Sequence, residues 1–270
     1  MHSTEDLARR IEAHIIESAD AARAQWRHPA GTTTRHFTID DLLPAEIARE
    51  IYAAYPKDGA GFEARESFRE RKYTSARLST HPVILSAITY AIQDPRVVAA
   101  IADIVGWENI DPDPMLYAGG LSMMFGGGFL NPHIDNSHDA KRDRYRRLNL
   151  LYYVTPEWKR EDGGHLELWD RAASKPVVIE SRFNRLVIME TNRTSLHSVS
   201  PVVAPGPRCC VSSYYFSEQS PDGSEYFHVT SFTGRPEERL KRALGPVDNG
   251  LRQCVASALK VGRGKHQMNA

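Results

Sequence analysis

Apolar residues recur every four positions near the start of the chain, with Leu7, Ile11 and Ile15 on one stripe and charged residues elsewhere, which predicts an amphipathic helix over 4–26. Ser3 or Thr4, followed by Glu5 and Asp6, supplies its cap and first-turn acids. A second helix is predicted over 44–55, opened by Pro44, and two more over 82–93 and 95–105. The stretch between the second and third, "GAGFEARESFRERKYTSARLSTHP", is polar, basic and aromatic; it reads as a surface loop or as part of a substrate entrance. From about 115 the pattern changes to short β-branched or aromatic runs: "MLYAGGLSMMF", "RRLNLLYYVT", "GHLELWD", "KPVVIES", "RLVIMET", "LHSVSPVV" and "RCCVSSYYFS". Gly, Pro, Asn and Asp punctuate them and no long helix intervenes, so an antiparallel sandwich or barrel is predicted rather than a βαβ sheet. The tail returns to helix in two pieces broken at Gly245-Pro246, and 261–270 reads as a frayed end.

Composition narrows the partners. With 34 Lys+Arg against 34 Asp+Glu in 270 residues, no global field favours nucleic acid or an anionic membrane, so a partner must be recognised locally. The three cysteines, Cys209, Cys210 and Cys254, make no disulfide framework, since two are adjacent and face opposite sides of a strand. A reducing, cytoplasmic setting is expected. The N-terminus has acidic residues where a signal peptide is basic, and no run approaches the ~18 apolar residues of a membrane span, which predicts a soluble, unprocessed protein.

The candidate chemistry begins at "NPHIDNSHDA", residues 131–140. On an extended segment His133 and Asp135 point to one side, because strand side chains alternate. Such a pair alone is more often a surface turn than a metal site. Downstream, "NRTSLHSVSPV" places His197 at the start of a strand, and two histidines with one carboxylate form the facial triad of non-haem iron(II) oxygenases, although zinc accepts the same ligands. Arg208 follows in "GPRCCVSSYYF"; a buried strand-start arginine needs an anion, and its planar fork suits a carboxylate.

In order and spacing, "HID" at 133–135, "RRLNLLYYVTPEW" at 146–158, "GGHLELW" at 163–169, "RLVIMET" at 185–191 and "LHSVSPVVAPGPR" at 196–208 resemble the 2-oxoglutarate and iron(II)-dependent dioxygenases, in particular their prolyl-4-hydroxylase-like branch. The resemblance covers roughly 115–217. It implies a mainly β fold with flanking helices and a double-stranded β-helix, or jelly-roll, core. On that frame the chain divides into a helical part over 1–110 packing on the core, the jelly roll over 111–234, and C-terminal helices and tail over 235–270, a single catalytic domain overall.

The resemblance further implies Fe(II) held by His133, Asp135 and His197, with 2-oxoglutarate as co-substrate, O2 as oxidant and ascorbate as a candidate reductant. Arg208 would pair with the distal carboxylate of 2-oxoglutarate, assisted by Tyr152 or, second, Asn149. The implied reaction hydroxylates an unactivated C–H of a small molecule, amino acid or peptidyl (including prolyl) substrate, releasing succinate and CO2. The presence of Asp135 favours hydroxylation over halogenation. A non-catalytic, cupin-like jelly-roll module that binds metal or metabolite is the alternative. The charged run after His138 reads as a solvated loop or a lid, His165 as structural, and Arg65, Arg69 and Arg71 as residues meeting an anionic or sugar-like substrate.

Overall fold

The computed structural model describes residues 2–170 and 172–259. The Ser3 hydroxyl accepts from the Asp6 N–H at 3.1 Å and starts α1 (Thr4–Glu17), whose Leu7, Ile11 and Ile15 are fully buried. The predicted 4–26 helix is two pieces. Ser18 turns the chain into α2 (Ala19–Arg27), and the new direction sets Trp26 edge-on against Phe37 and Trp107. Then come β1 (His36–Ile39) and α3 (Ala45–Ala53), the latter beginning after Pro44.

The polar stretch expected as a loop is instead a hairpin, β2 (Glu63–Glu66) and β3 (Glu70–Ser75). Its alternation is hidden because both faces carry charge, and β3 is stabilised by pairing with two other strands rather than by its own apolar face. α4 (Val83–Ala91) and α5 (Pro95–Val105) follow; Asp94 caps α5, and Gly106 ends it at φ +70°. The remaining strands are β4 (Asp111–Pro112), β5 (Gly120–Met124), β6 (Phe129–Ile134), β7 (Tyr145–Tyr153), β8 (Leu166–Trp169), β9 (Pro176–Ile179), β10 (Arg185–Glu190), β11 (His197–Val199), β12 (Arg208–Ser217) and β13 (Ser231–Phe232).

These strands form one curled antiparallel sheet in the order β1-β10-β7-β12-β5-β3-β6-β11-β8-β9, with β2 paired to β3, β4 to β12 and β13 to β6, a jelly roll curled around its own interior. Thus β1, β2 and β3, from the part expected to be helical, belong to the sheet. Tyr153, Leu166, Leu168, Val187, Met189 and Cys210 pack inside the curl. On the other side, α1, α3, α4 and α5 cover Leu121, Leu150, Tyr152, Leu186, Ile188 and Cys209. The adjacent Cys209 and Cys210 therefore lie in different cores, and all three cysteines are free. At roughly 1.5–3 kcal/mol per fully buried Leu or Ile, the α1 stripe alone is a substantial anchor.

The chain closes with α6 (Arg239–Leu259), one continuous helix where two pieces were expected. A proline inside a helix removes one backbone hydrogen bond. Here the helix is held by its docking, with Asn249 and Gln253 bonded to the backbone of residues 227–232 and Asp248 paired with Arg69. Among the described residues no helix is long and apolar enough to cross a membrane.

Asn184 joins the helical layer to the sheet. It sits fully buried at φ +62°, accepts from the Tyr152 hydroxyl (2.7 Å) and the Leu43 N–H (3.2 Å), and donates to the Leu43 carbonyl (2.6 Å). Asn184→Ala strands these partners and places an alanine in the left-handed region. The expected loss is roughly 2–4 kcal/mol of unfolding free energy in a urea titration, and a loss under about 0.5 kcal/mol would overturn the anchor.

Candidate metal and co-substrate site

β6 and β11 are antiparallel neighbours with His133 opposite His197, so the two imidazoles meet at 4.2 Å between ring centroids. Asp135, just beyond β6, brings its carboxylate to 3.5 Å from His133 Nε2 and 3.7 Å from His197 Nε2. All three side chains are buried, and one ligand atom from each lies within 4.8 Å of the others. The pair that alternation places on one face and the distant third residue are thus brought together.

Each histidine is oriented by a backbone carbonyl: Asn131 O is 2.9 Å from His133 Nδ1, and Ser195 O is 2.9 Å from His197 Nδ1. A carbonyl only accepts, so each Nδ1 carries the proton and each Nε2 presents a lone pair to the centre. Burial first, and then the neighbouring His133, push the His197 pKa down to about 4, so it is neutral near pH 7. Burial alone would raise the Asp135 pKa, but Arg146, His133 and His197 together overcome it and hold the carboxyl well below the usual range. Asp135 Oδ2 also makes no hydrogen bond within the protein. Two lone pairs and a carboxylate facing one another without a proton between them repel, and a divalent cation at their centre relieves that repulsion. The donor set fits iron(II), with zinc also acceptable to it.

The triad opens into a cavity of about 80 Å³ whose far wall holds Arg208. Arg208 is 3% exposed, its Nε has no hydrogen-bond partner, and among the described residues no carboxylate pairs with it. Gly164 leaves room for it, because a Cβ there would stand 3.0 Å from Arg208 Cδ. The adjoining Gly163, at φ +71°, leaves no space for a Cβ beside the Pro201 carbonyl. The Gly-Gly pair therefore shapes this wall.

β7 contributes Asn149, Leu151 and Tyr153 to the cavity. Tyr152 does not reach it. Asn149 and Tyr152 have opposite parity on one strand, and Tyr152 points into the helix-covered core, where its hydroxyl is bonded to Asn184. Tyr153 takes the place expected for Tyr152: its ring lies 5.2 Å from the Arg208 guanidinium and its buried hydroxyl lacks a hydrogen-bond partner. Burial raises the Tyr153 pKa to about 12, so the hydroxyl is a donor at neutral pH. Asn149 Oδ1 is likewise buried without a partner.

Sequence reading missed the role of Arg146. Its guanidinium lies 3.3 Å from Asp135 Oδ2, with the side chain 1% exposed, and it stacks 3.9 Å over Tyr214. Strict alternation puts Arg146 on the Tyr152 face, but the β7–β12 register shifts between Tyr215 and Phe216, and this bulge returns Arg146 to the cavity side. Only the buried position of a second strand arginine in "RRLNLLYY" hinted at it.

The predicted entrance arginines separate. Arg65 lines an outer cavity that shares Lys72, Thr74, Ala118 and Gly119 with the site cavity, whereas Arg69 pairs with Asp248 and Arg71 with Glu66. His165 is structural: its Nε2 is 2.9 Å from Arg160 O, and its Nδ1 accepts from Ser181 N–H.

Residues 119–216 match the family model described as the 2OG-Fe(II) oxygenase superfamily. A stretch of 95 residues is 35% identical to the prolyl 3-hydroxylase OGFOD1 of Xenopus laevis, a match spanning 32% of this chain and 19% of the frog protein. The fold is shared with a prolyl-4-hydroxylase from Pseudomonas putida (17% identity, TM-score 0.53, 74% of this chain and 98% of that one). It is shared too with a prolyl hydroxylase from Trichoplax adhaerens, solved in complex with a hypoxia inducible factor oxygen degradation domain peptide fragment (19% identity, TM-score 0.51, 76% and 91%).

The depressed His197 pKa has a stability consequence. The unfolded chain takes up a proton near the ordinary value of 6.5 while the folded one resists until about 4, so metal-free protein should lose stability as pH falls through that window, by roughly 3 kcal/mol in all. Chemical denaturation from pH 7 to pH 4 checks this. His197→Gln should flatten that part of the profile, and an unchanged slope would contradict a neutral buried His197.

Proposed function

We propose that this chain is a 2-oxoglutarate- and iron(II)-dependent dioxygenase that hydroxylates an unactivated C–H bond, with a prolyl peptide as the first substrate to test and amino acids or related small molecules next. The observation that carries the proposal is the pairing, in one cavity, of a buried His-Asp-His triad with a buried arginine that has no carboxylate partner among the described residues. Iron(II), with 2-oxoglutarate and dioxygen, supplies an oxidant capable of C–H hydroxylation and releases succinate and carbon dioxide.

In this reading His133, Asp135 and His197 hold the metal on one face and leave its other positions to ligands. Arg208 receives the distal carboxylate of 2-oxoglutarate through a charge-assisted fork, and the Tyr153 hydroxyl donates to the same group. Asn149 lies on the same wall and is the second polar candidate. Arg146 holds the Asp135 carboxylate ionised and fixes which oxygen faces the centre. The buried apolar walls, Leu166 and Val199 among them, exclude water from the reacting end.

The names of the frog relative and of the two structures support a prolyl substrate as the starting point. The mixed charges of the outer cavity, Glu63, Arg65 and Arg77, support a substrate with polar or ionic groups beside the reacting carbon. The free thiols support a reducing, cytoplasmic setting. No observation favours the binding-module reading.

Two measurements test the proposal. Under anaerobic conditions, iron(II) and 2-oxoglutarate should give a visible metal-to-ligand charge-transfer band that is lost in His133→Ala; metal binding without a band would sink the co-substrate assignment. Arg208→Ala and Tyr153→Phe should raise the 2-oxoglutarate dissociation constant, roughly 100-fold and 5-fold, from loss of a charged and of a neutral hydrogen bond. Tyr152→Phe should leave that constant unchanged, and a reversed order for the two tyrosines would refute the register argument. In addition, Asp135→Ala should abolish succinate formation coupled to substrate, whereas full activity would remove it from the ligand set.

A further inference from the structure

One face of the His133 ring is covered by Phe232, with centroids 5.1 Å apart and planes inclined by only 20°. Phe232 is 8% exposed and lies directly opposite His133 in the β13–β6 pairing. A two-residue strand has little ladder of its own to hold it. The clamp comes from α6. Asn249 Oδ1 accepts from the Phe232 N–H at 2.9 Å, and Asn249 Nδ2 donates to the Phe232 carbonyl at 2.8 Å.

One turn further along, Gln253 repeats the device, accepting from the Val229 N–H at 2.9 Å and donating to the Phe227 carbonyl at 3.0 Å. One turn earlier stands Gly245, where a Cβ would press to 2.9 Å from the Phe232 carbonyl oxygen. Residues 245, 249 and 253 share one helix face, so a single face both approaches the strand and reads its backbone. Phe232 has a second duty in this arrangement. It lines both the triad cavity and a separate cavity of about 380 Å³ bordered by Ile134, Leu196, Arg242 and Asn249.

We propose that Asn249 is a positioning residue of the metal centre: acting through Phe232, it fixes the plane of the His133 ring and keeps the triad closed to the second cavity. The inference rests on the metal reading of His133, Asp135 and His197. Neither residue touches the centre. Their contribution is to restrict one ligand ring to the orientation in which Nε2 points at the metal, as packing and hydrogen bonds around a ligand do.

Cobalt(II) titration of the full chain, followed by its visible ligand-field spectrum, tests this without turnover. Wild type should bind and His133→Ala should not; failure of that comparison would remove the metal reading itself. Given that baseline, Asn249→Leu and Phe232→Leu should each weaken cobalt(II) roughly tenfold and alter the band shape, while Phe232→Tyr, which keeps the stacked ring, should restore both. In the double variant Asn249→Leu with Phe232→Leu, the loss should equal that of Phe232→Leu alone, because one acts through the other.

Wild-type affinity and spectrum in Phe232→Leu would overturn the proposal, and so would additive losses in the double variant. Should Asn249→Leu fail to fold, Asn249→Asp keeps the acceptor for the Phe232 N–H, drops the donor, and is expected to fall between wild type and Phe232→Leu. Wild-type behaviour in Asn249→Asp together with an unchanged Phe232→Leu would equally overturn it.

Discussion

A buried, ionised Asp135 is the constraint on which the rest of the site depends. Removing a carboxylate from water costs several kcal/mol even after the protein relaxes, and here its nearest neighbours are two imidazoles whose Nδ1 atoms are already turned to backbone carbonyls. Arg146 offsets part of that cost at 3.3 Å, yet its own Nε and Nη2 make no hydrogen bonds and its plane rests on Tyr214. A salt bridge built for stability would satisfy both partners. This one leaves Asp135 Oδ2 without a hydrogen bond, which suits a carboxylate shared with a cation.

The same economy of charge governs the far wall. Arg146 on β7 and Arg208 on β12 sit on neighbouring strands, and they differ in what answers them: Arg146 has Asp135, while Arg208 has no carboxylate among the described residues. A fully buried guanidinium without an anion is as costly as a buried carboxylate without a cation. The cavity thus carries two complementary vacancies of charge, one for a divalent cation and one for an anionic group.

Much of this was legible in the sequence because the chemistry lies on strands, where alternation is a reliable ruler. His133 and Asp135, two residues apart, and the strand runs from 115 onward give the sheet and two members of the candidate triad directly. Arg208 is readable because a strand that begins with an arginine and continues "CCV" must bury it. What failed is where alternation is interrupted or has no apolar face to reveal it. Tyr152 and Tyr153 exchange roles with a one-residue change of parity that no local pattern sets, and Arg146 is turned inward by a bulge fixed through pairing with β12. The β2–β3 stretch reads as a loop or an entrance segment because, among the described residues, β2 pairs only with β3, and the other partners of β3, β5 and β6, lie about fifty residues downstream. α6 reads as broken because its continuity is enforced by tertiary contacts that outweigh a local helix breaker.

These distances in sequence are bridged inside the site. His133 and His197 come from the β6–β11 pair, and Asn149, Tyr153 and Arg208 from the β7–β12 pair, with β5 and β3 standing between the two pairs in the sheet. The mouth is made by a different part of the chain: β3 is inserted between β5 and β6 and lines the cavity with Glu70, Lys72 and Thr74, its charged pair at 3.0 Å. The same strand carries the residues shared by the two cavities, Lys72 and Thr74, so its charge borders both the outer cavity and the triad cavity. β3 is tied to the ligand end as well: Asn131, whose carbonyl orients His133, donates its N–H to the Arg69 carbonyl at 2.8 Å and its side-chain amide to the Phe68 carbonyl at 2.9 Å, just before β3 pairs with β6. A change in β3 therefore reaches His133 through Asn131 as well as the cavity mouth.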